Sequence, residues 1–428
     1  MNNIKIAVVG LGTVGSNVVK SIESLNKSNK VNQKIQFEII GISAKSKSKK
    51  RIIDINKYKW FDDPIDLFNY KFDVLIELIG TEKDISYNLI KKALSQNINV
   101  ITANKALLAK YGNELFNIAK NNKVKLLFEA AVAGGIPIIN LLKNSIFLNK
   151  INHISGILNG TTNFILSQME KNNCSFDESL KLASDKGYAE QDPTNDIEGI
   201  DSAYKITLLS SLCYGIEINH NFSNYSGINN FDKEDIKYAK KLGYKIKLIS
   251  ESMLIDDQIY IDTSPKLINE NHSLARVEGV LNAINIKTDH LKSLFIEGEG
   301  AGGKATSSSI IADLYELITS KKDSNLDFSL SNLKNIKSYD KNSLKRAYYF
   351  RILVKDQPGV LSKVTSILTA KNISIQTILQ LNEEKINDKV PIILKTYETF
   401  EKNIQETINI ISNENFIENK IVTLTIHN

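Results

Sequence analysis

Short apolar segments alternate with longer helical or polar stretches along the first third of the chain. The apolar segments are Ile4 to Val9, Phe37 to Ile42, Phe72 to Ile79, Asn99 to Thr102 and Val124 to Phe128. Each has the length and composition of a buried strand, and the stretches between them are long enough for helical crossovers. The alternation predicts a doubly wound α/β domain with a parallel sheet over residues 1–136.

The pattern becomes mixed between residues 137 and 319, where helical stretches such as Thr306 to Ile318 accompany further strands. The predicted strands are His153 to Leu158, Ile259 to Asp262, Ala275 to Val280, Asn282 to Lys287 and Leu294 to Glu297. This mixture predicts a second, α+β domain. The Ser-, Asn- and Lys-rich stretch of residues 320–346 predicts a linker with at most short helical pieces.

A third pattern occupies residues 347–428. Its predicted strands are Tyr348 to Val354, Ile373 to Leu379, Val390 to Thr399 and Ile421 to Ile426, with helices at Val360 to Ala370 and Phe400 to Ile411. The order βαββαβ is that of a ferredoxin-like module. The chain is therefore expected to have three domains and one linker.

A glycine-rich turn follows the first predicted strand and opens the helical stretch Ser16 to Leu25. It reads Gly10, Leu11, Gly12, Thr13, Val14, Gly15. Spaced glycines between a strand and a helix allow a tight turn, a close approach of the backbone to a pyrophosphate, and a helix N-terminus facing the negative charge. The turn predicts a Rossmann-type dinucleotide site, and the alternative is a glycine-rich turn in another kind of α/β protein.

The end of the second predicted strand bears on the choice of cofactor. An acidic residue there accepts a hydrogen bond from a ribose hydroxyl and repels a 2′-phosphate. Here the residues are Ser43, Ala44, Lys45, Ser46 and Lys47, without an acid. NADP(H) is therefore favoured over NAD(H), with Ala44 and Lys45 at the cofactor and Lys45 as the first candidate partner of the phosphate. The alternative is a solvated basic loop.

Composition removes several classes of protein. Of 428 residues 42% are hydrophobic, enough for large cores, and apolar stretches end before the about 18 residues that a membrane helix needs. The two cysteines suit a reducing cytoplasm and form no disulfide framework. Lysines and arginines are scattered among 48 acids, so the net charge of +6 gives little support to nucleic-acid binding. The five histidines lie far apart in sequence, which disfavours a metal-centred hydrolase.

Two lysines are candidates for proton chemistry. Lys105 follows the strand that ends at Thr102, and Lys205 stands four residues after Asp201 on one predicted helix face. Hydride transfer to a carbonyl requires a proton donor, and a lysine serves if burial lowers its pKa. Spacing alone favours an ordinary surface ion pair of Asp201 and Lys205.

A polar loop rich in carboxylates, residues 187–196, precedes that helix. Asn195 and Glu198, three residues apart, have the spacing of a helix-capping pair. The loop is therefore expected to lead directly into the helix that carries Asp201 and Lys205.

Seven motifs in unchanged order resemble homoserine dehydrogenase. They are the glycine turn, Thr-Ala-Asn-Lys at 102–105, Glu-Ala-Ala-Val-Ala-Gly-Gly-Ile-Pro at 129–137, Asn-Gly-Thr-Thr-Asn at 159–163, Gly-Tyr-Ala-Glu-Gln-Asp-Pro at 187–193, Gly-Ile-Asp-Ser-Ala-Tyr-Lys at 199–205 and Gly-Glu-Gly-Ala-Gly-Gly at 298–303. The matches keep their order over the whole chain. The resemblance implies NAD(P)-dependent interconversion of L-homoserine and L-aspartate 4-semialdehyde, on the way to threonine, isoleucine and methionine.

The resemblance also implies roles for individual residues. Lys205 would donate and accept the proton, and Lys105 would lie between nicotinamide and substrate. The substrate residues would be Glu190, Asp196, Asp201, Thr161 and Tyr188, with Glu190 on the substrate ammonium. Gly302 would approach the cofactor from the substrate domain.

A monovalent cation, usually sodium, is implied as well. Its ligands would be the Glu129 carboxylate and the main-chain oxygens of Val132, Gly134 and Ile136. Oxygen ligands suit such an ion.

The sequence Asp-Gln-Pro-Gly-Val-Leu at 356–361 resembles the first turn of an ACT domain, an amino-acid-sensing module. Asp356, Gly359 and Val360 are the candidate effector residues, and L-threonine is the hypothetical effector. The alternative is a tail that only adds dimer contacts.

The resemblance further implies a homodimer or homotetramer without a fused kinase segment. Two other functions stay open: an amino-acid-binding protein with an inert dehydrogenase body, and a dehydrogenase for another small polar aldehyde or hydroxy acid.

Overall fold

The protein is described by a computed structural model that covers residues 2–27, 35–80, 84–319, 333–380, 389–417 and 421–427. Its strands are β1 (Asn2–Val9), β2 (Ile35–Ser43), β3 (Trp60–Phe61), β4 (Val74–Glu77), β5 (Asn99–Thr102), β6 (Leu126–Leu127), β7 (Ile151–Ile157), β8 (Ser223–Tyr225), β9 (Tyr244–Ile255), β10 (Gln258–Asn269), β11 (Leu281–Thr288), β12 (Leu294–Glu299), β13 (Lys345–Arg346), β14 (Tyr348–Lys355), β15 (Ile375–Gln380), β16 (Lys389–Thr396), β17 (Thr399–Phe400) and β18 (Val422–His427).

Its helices are α1 (Thr13–Lys27), α2 (Asp84–Ser95), α3 (Lys105–Asn121), α4 (Ile138–Asn140), α5 (Gly160–Asn172), α6 (Phe176–Asp185), α7 (Thr194–Ile197), α8 (Ile200–Tyr214), α9 (Lys233–Lys241), α10 (Gly303–Thr319), α11 (Val360–Ala370) and α12 (Glu401–Ser412). None of the helices within the described ranges is both long enough and apolar enough to cross a membrane.

The N-terminal sheet is parallel and has the order β3-β2-β1-β4-β5-β6. The chain starts in the middle, moves to one edge and then returns to build the other half, as in a doubly wound fold. Ile6, Ala7 and Val8 in β1 are fully buried, because helices cover both faces of the sheet. The predicted α/β architecture is confirmed.

Helix α10, the last helix of residues 137–319, packs on the first domain. Ile310 and Leu314 belong to the same apolar core as Ile6 and Val8 of β1. At the start of α10, a Cβ on Gly303 would lie 2.3 Å from Nδ2 of Asn17 in α1. Helix α10 therefore connects the two domains, and its first residue lies against α1, next to the glycine turn.

The second sheet joins residues 137–319, called the substrate region after the expectation above, to the C-terminal module. Its order is β12-β11-β7-β9-β10-β18-β14-β16-β15, with β8 also paired to β10. Strand β18 pairs in parallel with β10, through Lys266 opposite Thr425. The last four strands in this order, with α11 and α12, form the predicted βαββαβ module. The two regions therefore share one continuous sheet.

In the second region one strand prediction is wrong, and the long strand β9 was not among the strands predicted. Residues 275–280 form no strand, because a 3₁₀ turn covers Ser273–Arg276 and Gly279 follows with φ of +63°. Strand β9 was not predicted, because buried polar residues such as Lys247 and Glu251 interrupt its apolar pattern.

Part of the predicted linker, residues 320–332, lies outside the described residues. The rest runs along the substrate region. The backbone of Lys334 forms an isolated parallel β-bridge with Ile216, and that of Ser338 forms one with Ile259. A 3₁₀ turn at Lys341–Ser343 then leads into β13, which pairs with β17.

Candidate active site

The end of β5 and the start of α3 hold Lys105 in a fixed position. Thr102 donates its hydroxyl to Glu77 Oε2 at 2.7 Å and accepts the Asn104 N–H at 3.0 Å. Asn104 in turn caps α3, since its Oδ1 accepts the Leu107 N–H at 3.1 Å. Lys105 is therefore the first residue of a capped helix at the carboxyl edge of the sheet.

Asp201 brings the two candidate lysines together. Its Oδ2 lies 2.6 Å from Lys205 Nζ, and its Oδ1 lies 3.1 Å from Lys105 Nζ. Asp201 is 6% exposed and Lys205 is 8% exposed. The interpretation of Asp201 and Lys205 as a surface pair is wrong, because the pair is buried and a third charge from another domain completes it.

The loop after β7 orients this cluster. Lys205 Nζ donates to the Leu158 carbonyl at 2.7 Å. The Asn159 amide donates to Asp201 Oδ2 at 3.0 Å and to Asp196 Oδ1 at 2.7 Å, while its oxygen accepts the Thr162 N–H and caps α5. One asparagine thus joins the carboxylates of two helices to the start of a third.

The charges of the cluster shift its protonation equilibria. Burial would raise the pKa of Asp201, but the ammonium groups of Lys205 and Lys105 outweigh burial and bring that pKa below its ordinary value. The charge of Asp201 raises the pKa of Lys105 against the effect of burial, with help from Asp196 and Glu190. Burial alone would lower the pKa of Lys105, but the carboxylates around it outweigh burial. Burial and the charge of Asp201 raise the pKa of Asp196.

The remaining substrate candidates are Thr161, Tyr188 and Glu190, and the charge of Glu190 acts on Lys105. Thr161 donates its hydroxyl to the Tyr188 carbonyl at 2.7 Å, and the Tyr188 ring packs edge-on against Phe164. Tyr188 is 43% exposed, and Glu190 is exposed beside it.

The expected capping pair of Asn195 and Glu198 does not form. Asn195 lies inside the short helix α7, and Gly199, with φ of +81°, precedes α8. The sharp turn at Gly199 separates the helix that carries Asp196 from the helix that carries Asp201.

The glycine turn has the backbone geometry of a phosphate cradle. Gly10 has φ of +96°, and a Cβ there would lie 2.4 Å from the Leu78 carbonyl carbon. A Cβ on Gly15 would lie 1.9 Å from the Gly10 oxygen, whereas Gly12 faces open space. Leu11 is buried and α1 begins at Thr13, so Val14 and Gly15 lie in its first turn. The turn thus offers bare backbone and a helix N-terminus.

Arg51 is a further residue of this region that the sequence interpretation did not single out. Its Nε donates to the Leu11 carbonyl at 3.1 Å, and its guanidinium lies 5.4 Å from the centre of the Trp60 ring. Its Nη1 donates to the Lys49 carbonyl at 2.8 Å. Arg51 therefore folds the basic segment after β2 against the glycine turn, with Ala44 half-buried and Lys45 exposed. Its position at the end of the basic run was the available signal.

The loop after β6 carries a buried carboxylate, Glu129, that is held by the backbone. Both oxygens of Glu129 accept backbone N–H groups, from Ile139 and Asn140, at 2.7 Å each. Burial raises the pKa of Glu129 to about 7, although these two N–H groups lower it. Ala133 and Gly134 both have left-handed φ, of 54° and 56°. A left-handed alanine is uncommon and marks a loop whose shape is imposed by its surroundings.

Asp313 of α10 is a second carboxylate at this loop that sequence reasoning missed. Its Oδ2 accepts the Glu129 N–H at 3.0 Å, and it is 4% exposed. Burial and the charge of Glu129 raise the pKa of Asp313 well above its ordinary value. Its position within an ordinary helical pattern gave no signal. The charge of Lys143 lowers the pKa of both carboxylates, but burial outweighs it. A bound cation would stabilise the charged form of these two buried groups.

The second glycine-rich stretch packs on the same loop. A Cβ on Gly134 would lie 2.2 Å from the Gly300 oxygen, and the Gly134 oxygen accepts the Ser309 hydroxyl at 2.6 Å. Gly302, with φ of +119°, directly precedes α10. Val132 and Ile136 are buried in the loop. No group of three or more His, Cys, Asp or Glu side chains in the described part of the chain is arranged to hold a metal ion.

The strand-to-helix turn of the C-terminal module also has the predicted form. Gly359, with φ of +90°, precedes α11, and Val360 is buried as the first residue of that helix. Asp356 lies in the turn after β14. This turn is distant in sequence from Lys105 and Lys205, and it belongs to another module.

Comparisons with known proteins agree along the chain. The sequence model of the homoserine dehydrogenase family matches residues 137–315, that of its NAD-binding domain matches residues 10–129, and that of the ACT domain matches residues 348–414. A homoserine dehydrogenase of Neisseria gonorrhoeae is 36% identical over 99% of this chain and 98% of its own length. One of Helicobacter pylori is 37% identical over 96% of each.

Solved structures give the same result. A homoserine dehydrogenase from Thiobacillus denitrificans matches with a TM-score of 0.92 and 33% identity, over 100% of this chain and 99% of that one. The domains, their order and their fold are shared, including the C-terminal ACT module. With its Rossmann-type sheet, its buried lysine and aspartate cluster and these relatives, the chain belongs to the homoserine dehydrogenase family.

Proposed function

We propose that residues 1–136 bind NADP(H), that residues 137–319 bind L-homoserine or L-aspartate 4-semialdehyde, and that Lys205, Asp201 and Lys105 manage the proton of the reaction. The observation that carries this proposal is the bridging of both lysines by one buried carboxylate. Such a cluster at the carboxyl edge of a nucleotide-binding sheet lies where a ligand of this fold binds.

A bound nicotinamide supplies or removes the hydride. In the direction of reduction, the carbonyl oxygen of the semialdehyde becomes an alkoxide and takes one proton from Lys205 Nζ. In the reverse direction, the neutral Lys205 amine takes that proton from the hydroxyl of homoserine. Asp201 and the Leu158 carbonyl hold Lys205 in place during both steps. Lys105, whose pKa is raised, donates a hydrogen bond to the same oxygen.

The substrate amino acid is proposed to lie against the carboxylates beside the lysine cluster. Glu190 pairs with its ammonium, while Asp196, Thr161 and Tyr188 line the same space. A Glu190→Gln variant is expected to raise the KM for homoserine with less effect on kcat. Glu198→Gln is the matched control, since Glu198 accepts a hydrogen bond from Asn229 away from the two lysines.

Preference for NADP(H) is supported by the basic loop after β2. Residues 43–51 contain no carboxylate, and Arg51 holds the segment against the glycine turn. We assign the 2′-phosphate to Lys45, with Ala44 beside the adenosine. Lys45→Ala should raise the KM for NADPH by about tenfold and leave the KM for NADH unchanged. Lys57→Ala, at an exposed lysine, is the control. Clear preference of the wild type for NADH would refute the assignment.

A monovalent cation is proposed at the loop of residues 129–136. The residues present fit such an ion, because the donor set is all oxygen and two buried carboxylates lie together. Glu129 would hold it with the main-chain oxygens of Val132, Gly134 and Ile136. Sodium chloride should raise the unfolding temperature of the wild type more than tetramethylammonium chloride does, and this difference should vanish in Glu129→Gln. An equal effect of the two salts would contradict the site.

The ACT module is proposed to sense an amino acid, with L-threonine as the first candidate. The N-terminus of α11 offers free N–H groups to a carboxylate, and Asp356 could meet an ammonium. Threonine should inhibit the full-length enzyme, and Asp356→Asn should weaken that inhibition. A response equal to that of the wild type would leave this turn without an effector role.

We also infer a homo-oligomer. Phe147, Leu148 and Leu291 are exposed, and Asn149 contacts Thr288, so these side chains belong to one region near β7 and β11. Strand β12 lies at the edge of the large sheet and offers its backbone to a second copy. Light scattering should give at least a dimer, and a monomer at micromolar concentration would contradict the inference.

The test of the function is consumption of NADPH with L-aspartate 4-semialdehyde and formation of homoserine. Turnover of the semialdehyde should exceed that of other small polar aldehydes. Absence of turnover with folded, cofactor-binding protein would favour an amino-acid-binding protein with an inert dehydrogenase body.

A further inference from the structure

Glu77 is a fully buried carboxylate that has no role in the proposed reaction as described above. It is the last residue of β4, and it lies opposite Val9 of β1 and opposite Thr102 of β5. Strand β1 leads into the glycine turn, and β5 leads into Lys105. Because a buried carboxylate is costly unless it is hydrogen-bonded, the groups that bond to Glu77 show what it holds in place.

One oxygen of this carboxylate holds the turn that follows β4. Glu77 Oε1 accepts the Ile79 N–H at 2.8 Å and the Ser86 hydroxyl at 2.9 Å. Ser86 belongs to α2 and is fully buried. The turn lies against the glycine turn, since a Cβ on Gly10 would be 2.8 Å from the Ile79 nitrogen. Oε1 therefore fixes α2 and the backbone beside the proposed pyrophosphate site.

The other oxygen holds the start of α3 through a two-step relay. Glu77 Oε2 accepts the Thr102 hydroxyl at 2.7 Å, and Thr102 Oγ1 accepts the Asn104 N–H at 3.0 Å. The relay has one direction, since a peptide N–H only donates and a hydroxyl has one proton to give. Position 77 must therefore supply an acceptor. Burial raises the pKa of Glu77, but its three hydrogen bonds work against burial and favour the ionised form, which only accepts.

Lys105 is held at both ends as a result. It follows Asn104 directly as the first residue of α3, so the relay ties its backbone to the sheet. Asp201 of the substrate region holds its ammonium at 3.1 Å. The stem between these two ends is flexible, as in every lysine. A shift of the backbone at the start of α3 therefore moves the ammonium relative to Asp201.

We propose that Glu77 is a positioning residue for Lys105 and acts through Thr102 and Asn104. The inference rests on the proposed function, in which Lys105 donates a hydrogen bond to the reacting oxygen of the substrate. Misplacement of a reacting or positioning group by about 1 Å can lower a rate by about 100-fold. A carboxylate buried in the sheet thus acts on turnover without touching substrate or cofactor.

Glu77→Gln tests this role because it keeps the size of the side chain and changes one hydrogen bond. Two donors face Oε1 and one faces Oε2, so the amide oxygen should stay with Ile79 and Ser86. The amide nitrogen then faces Thr102, whose hydroxyl has two donors and no acceptor, and its hold on the Asn104 N–H weakens. The kcat should fall by about 10- to 100-fold.

The dissociation constant of NADPH is the second measurement, by fluorescence titration without substrate. It should stay within about twofold of the wild type in Glu77→Gln, because the turn after β4 keeps its bonds to the amide oxygen. Ser86→Ala is the matched control, since it removes a donor from the other oxygen of the same carboxylate. It should lower the unfolding temperature but keep the wild-type kcat. An equal loss of kcat in both variants would reduce Glu77 to a structural residue and overturn the inference.

A double-mutant cycle with Lys105→Met decides whether Glu77 acts through Lys105. Single-turnover rates of NADPH oxidation by the semialdehyde are measured for the wild type, both single variants and the double variant. Glu77→Gln should slow the reaction in the wild-type background and change it by less than about twofold in Lys105→Met, where the positioned group is gone. The same fold-loss in both backgrounds would place the effect of Glu77 elsewhere and overturn the inference.

The outcomes separate this inference from the proposed function. A wild-type rate in folded Glu77→Gln would overturn the positioning role and leave the proposed reaction intact. Absence of turnover in the cofactor-binding wild type would contradict the proposed reaction, and with it the role of Lys105 on which the inference rests. If Glu77→Gln does not fold, Thr102→Val breaks the relay at its next group and takes its place in the cycle. Additive losses in that cycle would overturn the inference as well.

Discussion

Asp201 holds the ammonium group of Lys205 at 2.6 Å across one turn of α8, in a setting where both side chains are buried. The same carboxylate reaches Lys105 at 3.1 Å, and Lys105 starts a helix of the other domain. The contact therefore joins the cofactor-binding sheet to the substrate region at the point where chemistry is proposed. Asp201 is the carboxylate that faces both ammonium groups, so their charges are balanced through this residue.

Asp201→Asn should lower kcat by about 100-fold or more, the scale of general acid and base effects. The amide keeps the shape but leaves two ammonium groups without their shared anion, so both lysines lose the partner that positions them. Steady-state kinetics with NADPH and the semialdehyde measure the effect, and Glu198→Gln serves as control. An unchanged kcat in folded Asp201→Asn would show that the bridge has no part in turnover.

Thr102→Val should reduce stability by about 1–3 kcal/mol, because Glu77 Oε2 loses a donor and the Asn104 N–H loses an acceptor. The start of α3 then loses its anchor, so kcat should also fall. Thermal unfolding and kinetics of the same preparation measure both effects. Thr365→Val, at a hydroxyl bonded to the backbone of its own helix, is the control. Stability equal to that of the control would argue against an anchoring role.

The anchoring of Lys105 shows which parts of the site were predictable. The strands of the first sheet, the glycine turn and the two lysines were predictable, because local patterns of apolar residues, glycines and charged residues indicate them. The burial of Asp201 and Lys205 was not, because an i,i+4 spacing is the same on a surface helix and on a buried one. The buried pair contacts groups that are distant in sequence, such as the carbonyl of Leu158 and the amide of Asn159, and the spacing contains no sign of them.

Strand β9 and the shared sheet were hidden for a related reason. Lys247 bonds to Asn163 and the Val277 carbonyl, and Glu251 bonds to Lys266, so polar residues occupy core positions. A period-two apolar pattern cannot show partners that lie tens of residues away. Arg51 and Asp313 were missed because a cation in a basic run and an acid in a helix are common in ordinary surfaces.

Arg351→Met should loosen the contact between the ACT module and α9. Arg351 forms hydrogen bonds to both oxygens of Asp235, at 2.7 and 2.8 Å, and Asp235 is fully buried. Removal of one partner leaves a buried charge unpaired, at a cost of about 3–5 kcal/mol. Scanning calorimetry should show unfolding at a lower temperature. Lys371→Met, at an exposed ion pair, should leave the unfolding temperature nearly unchanged. An unshifted transition would contradict this role of Arg351.

His427 should make stability sensitive to acid. Burial, with the charges of Lys266 and His153, lowers the pKa of His427 from 6.5 to about 4, against the effect of Glu251. Between these values the unfolded chain binds a proton that the folded chain does not, so stability falls as the pH falls through this window. From pH about 7 to about 5 the unfolding temperature of the wild type should drop more than that of His427→Gln. Equal decreases in the unfolding temperature of the two proteins would contradict the lowered pKa of His427.

The central claim is that Lys205 moves the proton that accompanies hydride transfer, and Lys205→Met tests it most directly. Single-turnover oxidation of NADPH by L-aspartate 4-semialdehyde should slow by at least about 1,000-fold, while the affinity for NADPH stays within about twofold. Lys247→Met, at a buried lysine bonded to the Val277 carbonyl, should keep the wild-type rate. A near-normal rate in Lys205→Met would contradict the account.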